Sequence, residues 1–355
     1  MLFYIILFTA VAILISVLYL RSMRPVDVVY YVMNFMSRSG LMTFLVKTGL
    51  NKKMRPKSTE LVAPNGVRFM APSAMYGIIL EPALKLKVRK DDVFIATYPK
   101  AGTTWVQEIT WLICNNADTE TAKTSPLTAR SPFIETIDIG TENKGLQSIE
   151  SWPINSRRII KTHLPYELLP QEIFSESGQE CKIIYVARNP KDLCVSFYFF
   201  HQMNLGMEDP GSWSEFVTNF CTGNVGWGSC VTHALTYWEK AKEDKRIYFT
   251  TYENLQKDLK QEVISIAEFL GKDLTQDQVD SITAHCSFSS MSKNKTVNYS
   301  HAKKYGWDFQ KSKFMRKGQV GDWKNHFTLN QNEAFDKLYE DKMENADLDF
   351  IFELE

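Results

Sequence analysis

The feature that most constrains this chain is the stretch Thr97–Trp105, which has the sequence TYPKAGTTW. It follows an apolar run at Val93–Ala96 that is typical of a buried strand. It precedes Val106–Cys114, where apolar residues recur at helical spacing. Pro99 has no amide hydrogen and therefore ends the strand. The sequence predicts a strand, a tight turn and a helix in immediate succession.

The turn between this strand and helix has the composition of an anion-binding loop. A helix N-terminus carries unpaired amide hydrogens and a partial positive charge. Gly102 allows close approach of the backbone, and Lys100 adds a full charge. In the P-loop of kinases the lysine directly follows the second glycine, whereas here it lies two residues before the glycine. We therefore predict an anion loop of a different kind, with an ordinary threonine-capped turn as the alternative.

Composition excludes several classes of protein. The chain has 355 residues, and its 41 basic residues equal its 41 acidic ones. This balance argues against a nucleic-acid-binding protein. The six cysteines form no C-x-x-C pair, which argues against zinc and against a disulfide framework. No cluster of carboxylates suggests a metal site, and we predict no metal.

The amino-terminal segment is unlike that of a plain soluble protein. Leu2–Leu20 carries no charge over 19 positions, which as a helix would be about 28 Å long and close to the thickness of a bilayer core. Arg21 and Arg24 follow it. The positive flank predicts that residues 1–24 are a retained membrane anchor with the remaining chain in the cytosol. A cleaved signal peptide and a cytoplasmic protein are the alternatives.

Beyond the anchor we predict a juxtamembrane segment and linker over residues 25–66, followed by one large domain. Val26–Leu50 is either an interfacial helix or a packed helix of the domain. Residues 51–66 are polar, contain two prolines and are typical of a linker or surface loop. The large domain is then predicted to span 67–355.

Strand and helix patterns alternate along this domain. The strands are predicted at Val93–Ala96, Arg158–Lys161, Lys182–Ala187 and Arg246–Thr250. The helices are predicted at Val106–Cys114, Asp192–Gln202, Thr232–Ala241 and Leu259–Leu270. This alternation predicts an α/β fold with a central parallel β-sheet flanked by helices, in which ligands bind outside the carboxyl ends of the strands.

Four segments of the sequence together resemble signatures of the cytosolic-type sulfotransferase family. They are TYPKAGTTW at 97–105, KTHLP at 161–165, YVARNPKDLCVSF at 185–197 and RKGQVGDWKNHFT at 316–328. The resemblance runs in order from about residue 65 to the end of the chain. It implies a parallel α/β fold with a P-loop-like phosphosulfate loop. It also implies 3′-phosphoadenosine 5′-phosphosulfate (PAPS) as co-substrate.

The resemblance also implies roles for individual residues. The 5′-phosphosulfate would be held by Lys100, Ala101, Gly102, Thr103 and Thr104. The 3′-phosphate would be bound by Arg188, Ser196, Arg316, Lys317 and Gly318. The adenine side would be formed by Trp105, Tyr252, Cys286, Ser287, Phe288 and Met291, and the donor site would be completed by Phe314 and Met315.

Three positions depart from the family's pattern. Ala101 replaces the commoner serine of the loop, and Cys286 replaces a threonine, which predicts one weaker hydrogen bond. Leu329 replaces a valine in a short motif from Lys324 to Glu333 that resembles the family's dimer motif. The resemblance therefore predicts a homodimer through this motif, although one position of the motif differs from the family's pattern.

The implied reaction is sulfuryl transfer from PAPS to a hydroxyl or amine. His163 would accept the proton of the acceptor, because histidine suits a general base near neutral pH. Lys100 and Lys161 would stabilise the developing negative charge. Residues around Met75–Ile79, Phe133 and Phe200 would line the acceptor site, which favours a phenol or steroid-like alcohol.

Two other functions remain open from the sequence. One is a nucleotide-dependent kinase, which the position of the loop lysine and the absence of nearby magnesium-binding carboxylates disfavour. The other is a membrane-tethered nucleotide-binding protein without activity. The presence of all the residues that would carry the chemistry argues against it.

Overall fold

The structure is a computed structural model that describes residues 55–73, 76–136, 145–175 and 180–354. The predicted anchor at Leu2–Leu20 and the segment Val26–Leu50 lie outside these residues. Across the described ranges, no helix is both long enough and apolar enough to cross a bilayer.

A β-hairpin opens the described part of the chain. Strand β1, Thr59–Val62, pairs antiparallel with β2, Arg68–Ala71. The hairpin crosses the predicted boundary at residues 66 and 67, so the prediction of a linker over residues 51–66 is wrong for 59–62. The physical reason is packing, because Leu61 lies against the hydrophobic core and Ala63 is buried in it, in a segment that is otherwise mostly polar.

Four parallel strands form the central sheet. They are β3 at Val93–Thr97, β4 at Ile159–Thr162, β5 at Lys182–Ala187 and β6 at Ile247–Thr251. Their order across the sheet is β4–β3–β5–β6, so the first core strand lies in the interior. The predicted parallel sheet is confirmed, and β4 and β6 each begin one residue later than predicted.

Helices surround this sheet. The α-helices are α1 Tyr76–Leu84, α2 Thr103–Cys114, α3 Thr119–Thr124, α4 Leu127–Arg130, α5 Leu146–Glu150, α6 Pro190–Met203, α7 Trp213–Thr222, α8 Cys230–Glu243, α9 Tyr252–Lys257, α10 Leu259–Leu270, α11 Gln276–His285, α12 Phe288–Met291 and α13 Leu329–Met343. The 3-10 helices are Tyr166–Leu168, Gln171–Phe174, Ser300–Tyr305 and Asp322–Asn325.

Both faces of the sheet are buried, because successive side chains of a strand point to opposite sides. In β3, Val93 and Ile95 pack in one hydrophobic cluster with α2, α10 and α11. Phe94 and Ala96 pack in another cluster with side chains of α8. Polar residues can therefore gather only where the strands end.

Strands β5 and β6 lead into helices with almost no intervening chain. Helix α6 begins at Pro190, and the side chain of Asn189 caps it by accepting from the amide of Asp192. Helix α9 follows β6 directly, with Thr251 as its N-cap. The residues between strand and helix, including Arg188, are thereby held at the carboxyl edge of the sheet.

Candidate active site

The turn after β3 has an unusual backbone. Lys100 has φ of +72° and Gly102 has φ of +112°, so two nearby residues adopt left-handed conformations. A left-handed conformation costs a non-glycine residue on the order of 1 kcal/mol or more, and such strain concentrates at functional sites. A Cβ at Gly102 would lie 3.1 Å from the ring of Tyr252. The turn thus holds Lys100 in a defined position and leaves no free space at Gly102.

The two threonines at the start of α2 are buried. The hydroxyl of Thr103 lies 2.6 Å from that of Thr97. Ala101 is fully buried in the hydrophobic core. The position therefore accommodates the small apolar side chain that replaces the family's commoner serine.

Lys100 lies near enough to three other cations for their charges to affect it. Its Nζ is 3.7 Å from the ring centroid of Phe314. Burial lowers the pKa of Lys100 well below its ordinary value, and repulsion from Lys161, Arg188 and Arg316 lowers it further. Like charges held together in this way favour an anionic ligand, which would relieve the repulsion.

Lys161 approaches the same region from β4. Its Nζ lies 4.2 Å from the ring centroid of Phe133. Burial lowers the pKa of Lys161 to about 8, partly offset by the nearby carboxylate of Glu135. The ammonium group is therefore still mainly charged at neutral pH.

His163 follows β4 and is 6% exposed. Its Nδ1 lies 2.8 Å from the carbonyl oxygen of Thr97. Because a carbonyl can only accept, Nδ1 carries the proton and donates it, which leaves Nε2 of the neutral ring free to accept one. Burial, followed by repulsion from Lys161, holds the pKa of His163 well below its usual range. The ring is therefore neutral at pH 7, as a general base must be.

Two buried residues that sequence reasoning missed hold the main chain of His163. Glu135 Oε1 accepts from the amide of His163 at 2.8 Å. His233 Nε2 lies 3.2 Å from the carbonyl oxygen of His163. The only signal in the sequence was a glutamate directly after the apolar residues Phe133 and Ile134.

Arg188 connects the loop to neighbouring elements. Its Nη1 donates to the carbonyl of Lys100 at 3.2 Å, and its guanidinium lies 4.1 Å from the ring centroid of Tyr252. Ser196 lies on α6 and is half-buried. Arg188 is thus placed among the predicted donor residues.

The two carboxyl-terminal cations pair with a residue that the sequence analysis did not single out. Arg316 Nη2 lies 2.6 Å and Lys317 Nζ 2.5 Å from the carboxylate of Asp322. Burial raises the pKa of Asp322, but the bonds from Lys317, Asn325 and Arg316 leave it well below its usual range. In this structure, Asp322 is therefore the counter-charge of both predicted 3′-phosphate ligands.

The predicted adenine side is assembled from distant segments. Trp105 Nε1 donates to the carbonyl of Cys286 at 2.7 Å, and its ring centroid is 5.4 Å from that of Tyr252. Met291 is buried in the same hydrophobic cluster, which also contains the side chain of Cys286. The polar contact made by Cys286 is therefore a backbone contact, which a threonine-to-cysteine replacement leaves unchanged.

Phe288 and Gly318 face each other across this region. A Cβ at Gly318 would lie 2.2 Å from the Phe288 ring, and Gly318 has φ of +66°. Ser287 caps α12 by accepting from the amide of Ser290. Met315 packs against the same cluster as Met291. These contacts require glycine at position 318.

Aromatic side chains surround His163 and Lys100. The ring centroid of Phe133 is 5.1 Å from that of His163, and Phe200 lies 4.7 Å from Lys100 Nζ. Trp227, which the sequence analysis did not name, is 5.8 Å from His163 and has φ of +68°. In the predicted acceptor segment, Ile79 is buried, whereas Met75 lies outside the described residues.

A protein-family model described as the sulfotransferase domain matches residues 90–347, which include the site residues above except those of the predicted acceptor segment Met75–Ile79. This chain belongs to the sulfotransferase family. It is 44% identical over 266 residues to Sulfotransferase 1B1 of Canis lupus familiaris, covering 75% of this chain and 88% of that protein. It is 44% identical over 305 residues to Sulfotransferase 1 family member D1 of Mus musculus, covering 86% of this chain and all of the relative.

Two solved structures share the fold. Retinol dehydratase in complex with androsterone and the inactive cofactor PAP matches with a TM-score of 0.72 and 25% identity, over 82% of this chain and 92% of its own. A mouse sulfotransferase complexed with PAP matches with a TM-score of 0.62 and 32% identity, over 80% and 94%. The predicted fold and the predicted sulfotransferase class are confirmed.

The comparisons do not test the predicted homodimer or the predicted absence of a metal. Lys324 of the sulfotransferase chain pairs with Glu353 at 2.5 Å, and Leu329 is 72% exposed; dimerisation through Lys324–Glu333 stays a prediction. Among the described residues, no group of three or more His, Cys, Asp or Glu side chains is placed to hold a metal.

Proposed function

We propose that this sulfotransferase transfers a sulfuryl group from PAPS to the hydroxyl or amine of a small apolar acceptor. The observation that carries the proposal is the position of His163 Nε2. His163 follows β4, which pairs with β3. The turn after β3 carries Lys100 in its left-handed conformation. Lys161, Arg188 and Arg316 repel the charge of Lys100, so the site is suited to a polyanion.

In the proposed reaction, His163 accepts the proton of the acceptor at Nε2 while the acceptor oxygen attacks sulfur. The new bond joins oxygen to sulfur, and the bond from sulfur to the bridging phosphate oxygen breaks. Lys100 and Lys161 stabilise the charge that develops on the leaving phosphate and the sulfuryl oxygens. The products are a sulfate ester and 3′-phosphoadenosine 5′-phosphate (PAP).

Aromatic residues support an apolar acceptor. Phe133 contacts the ring of His163, and Phe200 lies beside Lys100. We propose that both line the acceptor site, with one hydroxyl of a phenol or steroid-like alcohol directed at His163.

The test is to supply sulfur-labelled PAPS with a mixed panel of phenols, steroids and amines. We expect labelled product from at least one phenol or steroid-like alcohol and none from the same panel with labelled ATP. PAPS binding without product from any acceptor would favour an inactive binding protein. Transfer of phosphate from ATP would contradict the proposal.

Gly318→Ala is expected to weaken the binding of PAP. The new Cβ would displace the Phe288 ring, and stacking of a base on an aromatic ring is worth about 1–3 kcal/mol, roughly tenfold to a hundredfold in affinity. Gly271→Ala is the matched control, because Gly271 has φ of +65° and nothing within 4 Å. It would suffer the same backbone strain without the clash. Titration calorimetry with PAP measures both variants, and equal affinities would contradict the assigned role.

We also propose that Leu2–Leu20 anchors the chain with the domain facing the cytosol. The match to the mouse relative takes in all of that protein but 86% of this chain, so part of this chain has no counterpart there. The proposal rests on the uncharged run Leu2–Leu20 and on Arg21 and Arg24, which follow it.

Expression of the full chain in animal cells tests this topology. The full chain is expected to resist extraction from membranes by carbonate, whereas a chain lacking residues 2–20 should be released. Two glycosylation sequons, at Asn294 and Asn298, report the side of the membrane. Glycans on either asparagine, or a mature amino terminus beyond residue 20, would contradict the proposal.

A further inference from the structure

The segment before Glu135 runs alongside β4. The amide of Lys161 donates to the carbonyl of Pro132 at 2.9 Å, and the amide of Ile134 donates to the carbonyl of Lys161 at 3.0 Å. Alternate residues of such an extended segment lie on the same side. Phe133 contacts the His163 ring, so Glu135 also points towards the chain that follows β4.

Glu135 is buried and hydrogen-bonded to the proposed base. Its Oε1 lies 2.8 Å from the amide nitrogen of His163 and 3.4 Å from the hydroxyl of Tyr76. Glu135 is 4% exposed. Burial raises the pKa of Glu135 to about 7, with the His163 amide and the Thr162 hydroxyl acting in the opposite direction. Burying a carboxyl group costs free energy unless hydrogen bonds compensate for the lost solvation. The bond from the His163 amide supplies part of that compensation.

His163 is held at three points by other segments. Glu135 accepts from its amide, His233 lies against its carbonyl, and the Thr97 carbonyl accepts from Nδ1. The first two bonds fix the peptide and the third fixes the ring. Removing one of them leaves a buried polar group unpaired and permits the ring to shift.

We propose that Glu135 is a positioning residue for His163, holding its main chain so that Nε2 is directed at the acceptor. This inference rests on the proposed role of His163 as the base. Within the described residues, Glu135 forms no ion pair with Lys161, whose ammonium lies over the Phe133 ring instead, although the carboxylate raises the pKa of that lysine. The hydrogen bond to the His163 amide is the contact that the proposal invokes, and the variants below separate it from the effect of the charge.

Three variants separate the hydrogen bond from the charge. Glu135→Gln retains a carbonyl oxygen that can accept from the amide, Glu135→Ala removes the acceptor, and Glu135→Asp withdraws it. A shift of about 1 Å at a catalytic group can cost on the order of 100-fold in rate. We expect kcat to fall roughly 10- to 100-fold in Glu135→Ala, less in Glu135→Asp and least in Glu135→Gln. PAP affinity should stay that of the wild type in all three.

A double-mutant cycle supplies the deciding measurement. In a His163→Ala background, Glu135→Ala should cause no further loss of kcat, because residues that act as a unit are not additive. Glu262 is a control carboxylate, since it accepts from the Thr250 hydroxyl at 2.8 Å far along the chain from His163. Glu262→Ala should lower the unfolding midpoint. Any effect that it has on kcat should be the same in the wild-type and His163→Ala backgrounds.

Each contrary result is distinct. An equal loss in both backgrounds, or an equal loss in Glu135→Gln and Glu135→Ala, would overturn the positioning role. If Glu135→Ala does not fold, Glu135→Asp is measured in the same two backgrounds with the same criterion. An unchanged turnover in His163→Ala alone would instead overturn the proposed base, and with it the function assigned to this site.

Discussion

His163→Ala should lower turnover by roughly 10²–10⁴, the range typical of losing a general base. Affinity for PAPS should stay close to that of the wild type, because Nε2 is proposed to meet the acceptor and not the donor. Acceptors with acidic hydroxyls, such as nitrophenols, should lose least, since they need less help in releasing a proton. Turnover measured against acceptor pKa in both proteins, with PAPS binding alongside, tests this expectation.

His201 provides the control for this variant. It is a second buried histidine, 2% exposed, and its Nδ1 lies 3.0 Å from the carbonyl of Glu208. His201→Ala should lower the unfolding midpoint without changing the dependence of turnover on acceptor pKa. If His163→Ala folds and turns over at the wild-type rate, His163 is not the base.

The acid side of the pH profile adds a second readout. Because the pKa of His163 is held well below 6.5, the ring stays neutral as pH falls through 6.5. Protonation of His163 should therefore not reduce turnover around that pH. Because the Glu135 carboxyl, with a pKa of about 7, accepts from the His163 amide, the profile is also measured in Glu135→Gln. An acidic limb centred near 6.5 that persists in this variant would indicate that the proton acceptor is an ordinary, exposed histidine.

Arg188→Ala should weaken PAPS binding by roughly tenfold to a hundredfold. The reason is the expected loss of the charge-assisted hydrogen bond that Arg188 is proposed to make to the 3′-phosphate, worth about 1.5–3 kcal/mol. Binding of adenosine 5′-phosphosulfate, which lacks that phosphate, should hardly change. Direct binding measurements with both donors give the comparison.

The internal contacts of Arg188 define the competing explanation. It donates to the carbonyl of Lys100 and stacks on Tyr252, so its removal also disturbs the loop. Arg188→Lys retains charge but loses the planar, two-pronged grip. An equal loss of affinity for both donors in Arg188→Ala would show that the residue is structural.

The order of elements along the chain was predictable because it depends on local patterns. Four buried strands, the helices between them and the turn at Lys100–Thr104 each occupy a short contiguous stretch. Apolar periodicity and the absence of an amide hydrogen in Pro99 act within such stretches. By contrast, the strand order β4–β3–β5–β6 appeared only in the structure, because pairing depends on which strands meet after folding.

The sequence by itself determined the α/β class, the turn between β3 and α2 and the residues that resemble sulfotransferase signatures, His163 among them. Only the tertiary structure decided how those residues are held. Glu135 reaches His163 across 28 positions and His233 across 70, and Asp322 pairs with both Arg316 and Lys317. The physical reason is that burial and hydrogen bonding between distant segments leave no local periodicity. The apolar residues before Glu135 do not indicate that its partner is His163, because the two segments meet only after folding.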